Sequence, residues 1–143
     1  MKPALSILVA AVFLAACVPA AATPTPGIPP ALHPFAPQPG DSSLERGPVY
    51  LDSAEMLIME SFPVQIRLAL TGSLPTPCHS LRVSVADPDP ENRIAIEVYS
   101  LVDPNMVCVQ VLAPFEAGIP LGSFPAGHYT VLINGQPAGE FDA

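Results

Sequence analysis

Gly127-His128-Tyr129-Thr130-Val131-Leu132-Ile133-Asn134-Gly135-Gln136 reads as a strand running into a turn. Tyr129, Val131 and Ile133 occupy every second position, so in an extended chain their side chains share one face. Asn134-Gly135 follows at once. Asn and Gly tolerate the positive φ that both central residues of a type I′ turn need, and that turn has the twist of two paired strands. The stretch therefore predicts a hairpin that returns through Gln136 to Phe141 as a last strand.

The same period continues upstream. Val64, Ile66, Leu68 and Leu70 alternate with Gln65, Arg67, Ala69 and Thr71. Leu81, Val83 and Val85 alternate with Ser80, Arg82 and Ser84, and Ile94, Ile96 and Val98 with Arg93, Ala95 and Glu97. Each set predicts a strand with one face in a core and the other in water. Residues 107–112 are apolar almost throughout, the pattern of a central strand covered on both faces. Residues 53–61 contain no Gly or Pro, yet Met56-Leu57-Ile58-Met59 lacks helical spacing and Pro63 follows closely, so they also read as extended. The expected strands are 48–51, 54–61, 64–71, 80–86, 93–101, 106–112, 118–122, 127–133 and 136–141. With turn chemistry between most of them, they make seven to nine short strands of one sandwich or barrel over residues 41–143.

Ile119-Pro120-Leu121-Gly122, followed by Phe124-Pro125-Ala126-Gly127-His128-Tyr129-Thr130-Val131, resembles the end of immunoglobulin-like domains. In that class a Gly-x-Tyr leads the penultimate strand, and the Tyr hydroxyl bonds back to backbone at the corner. The resemblance implies an all-β fold, a single immunoglobulin-like antiparallel β-sandwich, with Tyr129 in the corner role. It departs from antibody-type domains in having no Trp and in placing Val131 where their second cysteine stands. Such a fold carries no activity of its own.

The N-terminal end is built differently. Lys2 precedes an apolar run, residues 3–16, that ends in Leu14-Ala15-Ala16-Cys17. These 14 residues are fewer than the roughly 20 that cross a bilayer. A basic start, an apolar middle and a small-residue exit make a secretory signal. With cysteine directly after the exit, the motif resembles the lipobox of bacterial lipoproteins. The resemblance implies that residues 1–16 are a removed signal peptide and that Cys17 heads the mature chain. Cys17 would carry a thioether-linked diacylglycerol on its sulfur and an acyl chain on its α-amine. Two or more chains hold a protein stably on a membrane. Val18 stands where some lipoproteins have the Asp that retains them at the inner membrane. The expected location is the bacterial cell envelope, lipid-anchored and facing outside the cytoplasm.

Residues 18–40 contain eight Pro in 23 positions. Proline fixes φ and removes an amide donor, so residues 17–40 read as the lipidated cysteine plus a disordered Pro/Ala/Thr-rich tether, with a reach of about 70 Å. His33 and Phe35 interrupt it.

The lipobox resemblance assigns Cys17 and leaves Cys78 and Cys108 as an even pair in an oxidising compartment, which predicts a disulfide. Closing a loop of about 31 residues contributes roughly 3–4 kcal/mol on the chain-entropy account. Cys78 precedes a strand and Cys108 lies on the face opposite Val107, Val109 and Val111, so the bridge is expected at a sheet edge or turn. The alternative is metal. His79 adjoins Cys78 and Met106 lies near Cys108, and His, Cys and Met are soft ligands that suit copper. His128, the remaining candidate, is on another strand.

Removal of residues 1–16 leaves four Arg, no Lys and 13 acidic residues, so 4 − 13 gives a net charge of −9. That charge repels phosphate backbones and argues against a nucleic-acid partner. Asp87-Pro88-Asp89-Pro90-Glu91-Asn92 offers alternating oxygens of the kind that hold Ca²⁺. It lacks the Gly and the bidentate Glu of an EF-hand, and two prolines stiffen it, so it reads as a solvated hairpin loop. No Gly-x-Ser-x-Gly elbow, His-Glu-x-x-His or phosphate loop occurs. Ser80 and His79 are neighbours, and on a strand neighbours point to opposite faces. The sequence thus leads to a non-enzymatic, cofactor-free binding or structural module on a membrane tether. Its partner, an envelope protein or ligand, would meet loops 73–77, 87–92 or 103–105, or an edge strand. A small extracytoplasmic copper-handling protein is the alternative.

Overall fold

The structure, a computed structural model, describes residues 33–61 and 63–143. The expected signal peptide, Cys17 and the expected tether as far as residue 32 lie outside the described residues. Among the described residues eight strands follow a short 3-10 helix (Pro39–Ser43): β1 (Glu45–Gly47), β2 (Tyr50–Met59), β3 (Gln65–Leu74), β4 (Ser80–Val85), β5 (Arg93–Val102), β6 (Ala113–Ser123), β7 (His128–Ile133) and β8 (Gln136–Asp142). They form two sheets, one of β1, β4, β5, β7 and β8 and one of β2, β3 and β6. The fold is a β-sandwich. Among the described residues no helix is long and apolar enough to cross a membrane.

Alternation of side chains makes the two inner faces. In β3, Ile66, Leu68, Leu70 and Leu74 are buried while Gln65 and Arg67 are exposed; in β5, Ile94, Ile96 and Val98 are buried while Arg93, Ala95 and Glu97 are exposed. They meet Leu81 and Val83 of β4, Ala117, Ile119 and Leu121 of β6, and Val131 and Ile133 of β7 in one cluster. β2 lies at the margin and gives that cluster only partly buried Leu51, Ala54 and Met56. Phe124, Tyr129 and Phe141 pack ring on ring with centroids 5.1–5.2 Å apart, closing one corner.

β5 is the hub of the larger sheet. β4 pairs antiparallel along one edge, from Ser80↔Leu101 to Val85↔Ile96. The other edge is shared. β7 pairs with its first half, Arg93 to Ile96, and β1 with its last residues, Ser100 to Val102. The β5–β7 pairing is parallel, the one departure from an antiparallel ladder among the strand pairs of the described residues. Alternation reports which face a residue takes and is silent on strand direction.

Residues 106–112 correct the sequence expectation. They form no strand, and Val107 is 98% exposed. β6 begins only at Ala113 and runs the whole length of β3, from Leu74↔Ala113 to Gln65↔Ser123. The valine-rich stretch is the connection between β5 and β6. An apolar run names no partner, and both edges of β5 are already occupied.

Packed structure also starts earlier than Asp41. Phe35 packs against the core, and its carbonyl accepts the Val83 N–H at 2.8 Å. Asp41 then forms a two-pronged ion pair with Arg82, at 2.8 and 2.9 Å. The Arg82 guanidinium holds the Asp41 carboxyl below its usual range. The segment thereby covers the outer edge of β4, which would otherwise present unpaired backbone groups to other chains.

Candidate functional site

The strand registers sort the loops into two ends. At one end β3 passes into β4 through residues 75–79 and β5 into β6 through 103–112; at the other lie 60–64, 86–92 and 124–127.

The first end is built around a bridge. Cys78 and Cys108 are joined, with Cα atoms 6.1 Å apart. Cys78 sits in a tight turn in which the His79 N–H donates to the Thr76 carbonyl at 3.1 Å and the Cys78 N–H to Thr76 Oγ1 at 3.3 Å. Thr76 Oγ1 and His79 Nδ1 are hydrogen-bonded at 2.9 Å, and Thr76 is buried. His79 therefore turns to Thr76 rather than to Ser80. The opposite loop opens with Asp103, whose carboxylate accepts the Asn105 N–H at 2.9 Å and whose carbonyl accepts the Met106 N–H at 3.0 Å. Beyond that turn the bridge at Cys108 is its tie to the turn at 76–79. Met106, Val107, Val109, Val111 and Leu112 are all more than half exposed.

Neither bridged sulfur is a thiolate, the form in which cysteine ligates metal. Among the described residues no group of three or more His, Cys, Asp and Glu side chains could hold a metal ion. His128, on β7, bonds Asp142 at 2.8 Å and lies 3.3 Å from Glu140, both across on β8. The hydrogen bond to Asp142 raises its pKa.

At the second end the acidic loop is occupied by its own neighbours. Asp89 Oδ1 accepts the N–H groups of Glu91 and Arg93 at 3.0 and 2.8 Å, and Oδ2 takes the Arg93 Nε at 2.7 Å. Glu91 receives the same guanidinium at 3.1 Å. The Arg93 backbone N–H is the largest of the influences that hold the Asp89 carboxyl below its ordinary range. The β-hairpin from 86 to 92 is thus an internally satisfied turn, and Asn92 completes it with a φ of 58°.

Near Tyr129 the corner is closed by its hydroxyl, which donates to the Pro125 carbonyl at 3.1 Å. Asn134 and Gly135 have φ of 49° and 81°, the positive values of a type I′ turn. Beside that turn, Arg46 stacks 3.8 Å over the Tyr99 ring and reaches Glu97 at 3.2 Å, forming one wall of a shallow open groove that includes Val49 and Gly135. Sequence reasoning missed this groove, because it exists only where β1 and β7 stop short of each other along β5.

The family model of the ORF11 β-sandwich domain matches residues 68–143, more than half of the chain. The chain belongs to the ORF11 β-sandwich domain family. The matched span opens within β3 and takes in everything from there to β8, both loops of the bridged end included. No curated protein and no solved structure matches the chain.

Proposed function

We propose that this ORF11 β-sandwich domain is the exported part of a bacterial lipoprotein. It is anchored through Cys17 to an envelope membrane and works outside the cytoplasm as a non-enzymatic binding or structural module. One observation carries the reading: of three cysteines, Cys78 and Cys108 are bonded to each other, and the third stands directly behind a signal-like segment ending Leu14-Ala15-Ala16. A bridge of this kind persists in oxidising compartments. The Pro-rich residues 18–32 give the domain reach, and the net charge of −9 (4 − 13) keeps it dispersed. Recognition falls to the loops at the sandwich ends, since the polar groups of the strands are largely spent on pairing.

The experiment is mass spectrometry of the native protein purified from membranes. The expected N-terminal peptide begins at residue 17 and carries the mass of a diacylglycerol plus an acyl chain, and Cys17→Ser moves the protein from the membrane to the soluble fraction. An unmodified residue 17 still joined to residues 1–16 overturns the reading.

A further inference from the structure

The loops at the two ends of the sandwich differ in charge, with Glu45 the acidic residue on the strand edge beside the bridged end. Residues 75–79 and 104–112, at the bridged end, contain no Asp, Glu, Lys or Arg. Asp103, at the base of the longer loop, is turned onto the Asn105 amide groups. The loops of the far end carry Glu60, Asp87, Asp89 and Glu91. At the bridged end the uncharged stretch is also apolar and exposed: Val107 at 98%, Val109 at 65%, Leu112 at 61%, Val111 at 56% and Met106 at 54%, with Tyr50 at 51% at the start of β2. Five exposed apolar side chains within one seven-residue stretch mark a contact surface.

We propose that this end of the domain lies against the lipid bilayer, the 106–112 loop entering the headgroup–acyl boundary while the acidic end faces away. One observation favours a lipid surface and two others allow it. The acidic loops sit at the end that would be repelled by anionic headgroups; the far end also exposes Leu57, Ile58 and Met59, but beside Glu60, whereas the exposed apolar loop 106–112 has no charged residue within it. The loop is tied at Cys108 to the turn at Cys78, so that it keeps its place without strand pairing. Residues 18–32, 15 in all, can span up to about 50 Å by covalent geometry alone. A domain this size has a radius of gyration of about 13 Å. Either end of the sandwich can therefore touch the membrane that holds Cys17. Anchoring confines the loop to a thin layer beside the bilayer, where even weak partitioning becomes occupancy. Entry is shallow, because backbone outside a helix or closed sheet keeps its hydrogen bonds only where water still reaches. The reach rests on the anchored reading; the loop's own affinity for lipid does not.

The test separates the two. The mature chain, residues 17–143, carries Cys17→Ser so that no acyl chain contributes, and Val109→Trp as a probe in a chain with no other Trp. It is titrated with phosphatidylcholine vesicles, with and without brominated acyl chains. The expected result is a blue shift of the indole introduced by Val109→Trp and its quenching by the brominated chains. Adding Val107→Ser and Val111→Ser raises the lipid concentration at half-change at least tenfold. Ile58→Trp, at a comparably exposed apolar position at the far end of β2, is the control, and its indole stays unquenched. No quenching in the Val109→Trp chain, or equal quenching in the Ile58→Trp chain, overturns the proposal. Flotation of the acylated wild-type chain with the same vesicles reports the anchor alone, so the loop can fail while the anchor stands, and the reverse.

Discussion

The side chain of Asn134 bonds both backbone groups of Val98. Its Oδ1 accepts the Val98 N–H at 2.8 Å and its Nδ2 donates to the Val98 carbonyl at 3.0 Å. A carboxamide has the donor and acceptor of a peptide group, and here it stands in for a missing strand. β7 leaves β5 at Ile96 and β1 joins it only at Ser100, so the edge between them would be unpaired. Asn134 fills that gap and at the same time adopts the positive φ of the turn.

Asn134→Gly keeps the backbone conformation and removes both bonds. It is expected to cost about 1–3 kcal/mol, because the Val98 groups lose their partners. Asn134→Ala loses the same bonds and also the tolerance of positive φ that Asn and Gly share, so it should be the more destabilising of the two. Both should lower the urea midpoint at unchanged slope. A neutral Asn134→Gly would mean that water serves Val98 equally well.

Gly72 is fixed by a close approach. It pairs with Leu51 where the β2–β3 register shifts, and a Cβ there would collide with the Tyr50 carbonyl oxygen and meet the Phe115 ring at 3.0 Å. A backbone oxygen in a ladder cannot step aside. Gly72→Ala is expected to destabilise by about 1–3 kcal/mol. Gly40→Ala, with nothing within 4 Å of its Cβ, should stay within about 0.5 kcal/mol of wild type in the same thermal melts.

The bridge closes the chain between residues 30 apart and ties a loop that has no strand partner. Reduction, or Cys78→Ser with Cys108→Ser, should lower stability by about 3–4 kcal/mol. Hydrogen exchange should distinguish this from general weakening. The hydrogen-bonded amides beside the bridge, those of Cys78, His79, Asn105 and Met106, gain exchange far more than those of β3 or β5, whose ladders do not involve the bridge. Uniform loss of protection would place the bridge in the core instead.

How much of this was legible in the sequence depends on what each pattern encodes. β3, β4, β5 and β7 announce themselves, because one face is core and the other water, and alternation records that directly. The Asn134-Gly135 turn is equally plain, since few residue pairs accept two positive φ values. Residues 106–112 mislead because they look like the best strand of all. What decides their state is the absence of an open neighbouring edge, which is tertiary information. β6 errs the other way. Pro114, Gly118, Pro120 and Gly122 conceal its length, yet β6 is an edge strand, where Pro can sit without breaking a ladder. The Val98–Asn134 link is separated by 36 residues and leaves no local trace.

The ionisable pairs give stability opposite pH dependences at the two ends of the scale. The His128 pKa is raised, chiefly by its hydrogen bond to Asp142. The folded chain therefore holds that proton more tightly than the unfolded one. The contribution is complete below the unfolded value of about 6.5 and disappears as pH rises through the folded value. Asp41 and Asp89 are lowered, the first mainly by the Arg82 side chain and the second mainly by the Arg93 backbone N–H. Their contributions are complete above the unfolded value of about 3.9 and disappear as pH falls through the folded values. Titration of the imidazole signals by NMR should find His128 above about 6.5 in the native chain, and Asp142→Asn should bring it down. Asp89→Asn should flatten the acid limb of the stability curve. An unchanged His128 in the Asp142→Asn chain would show that the carboxylate across the β7–β8 ladder does not act on the ring.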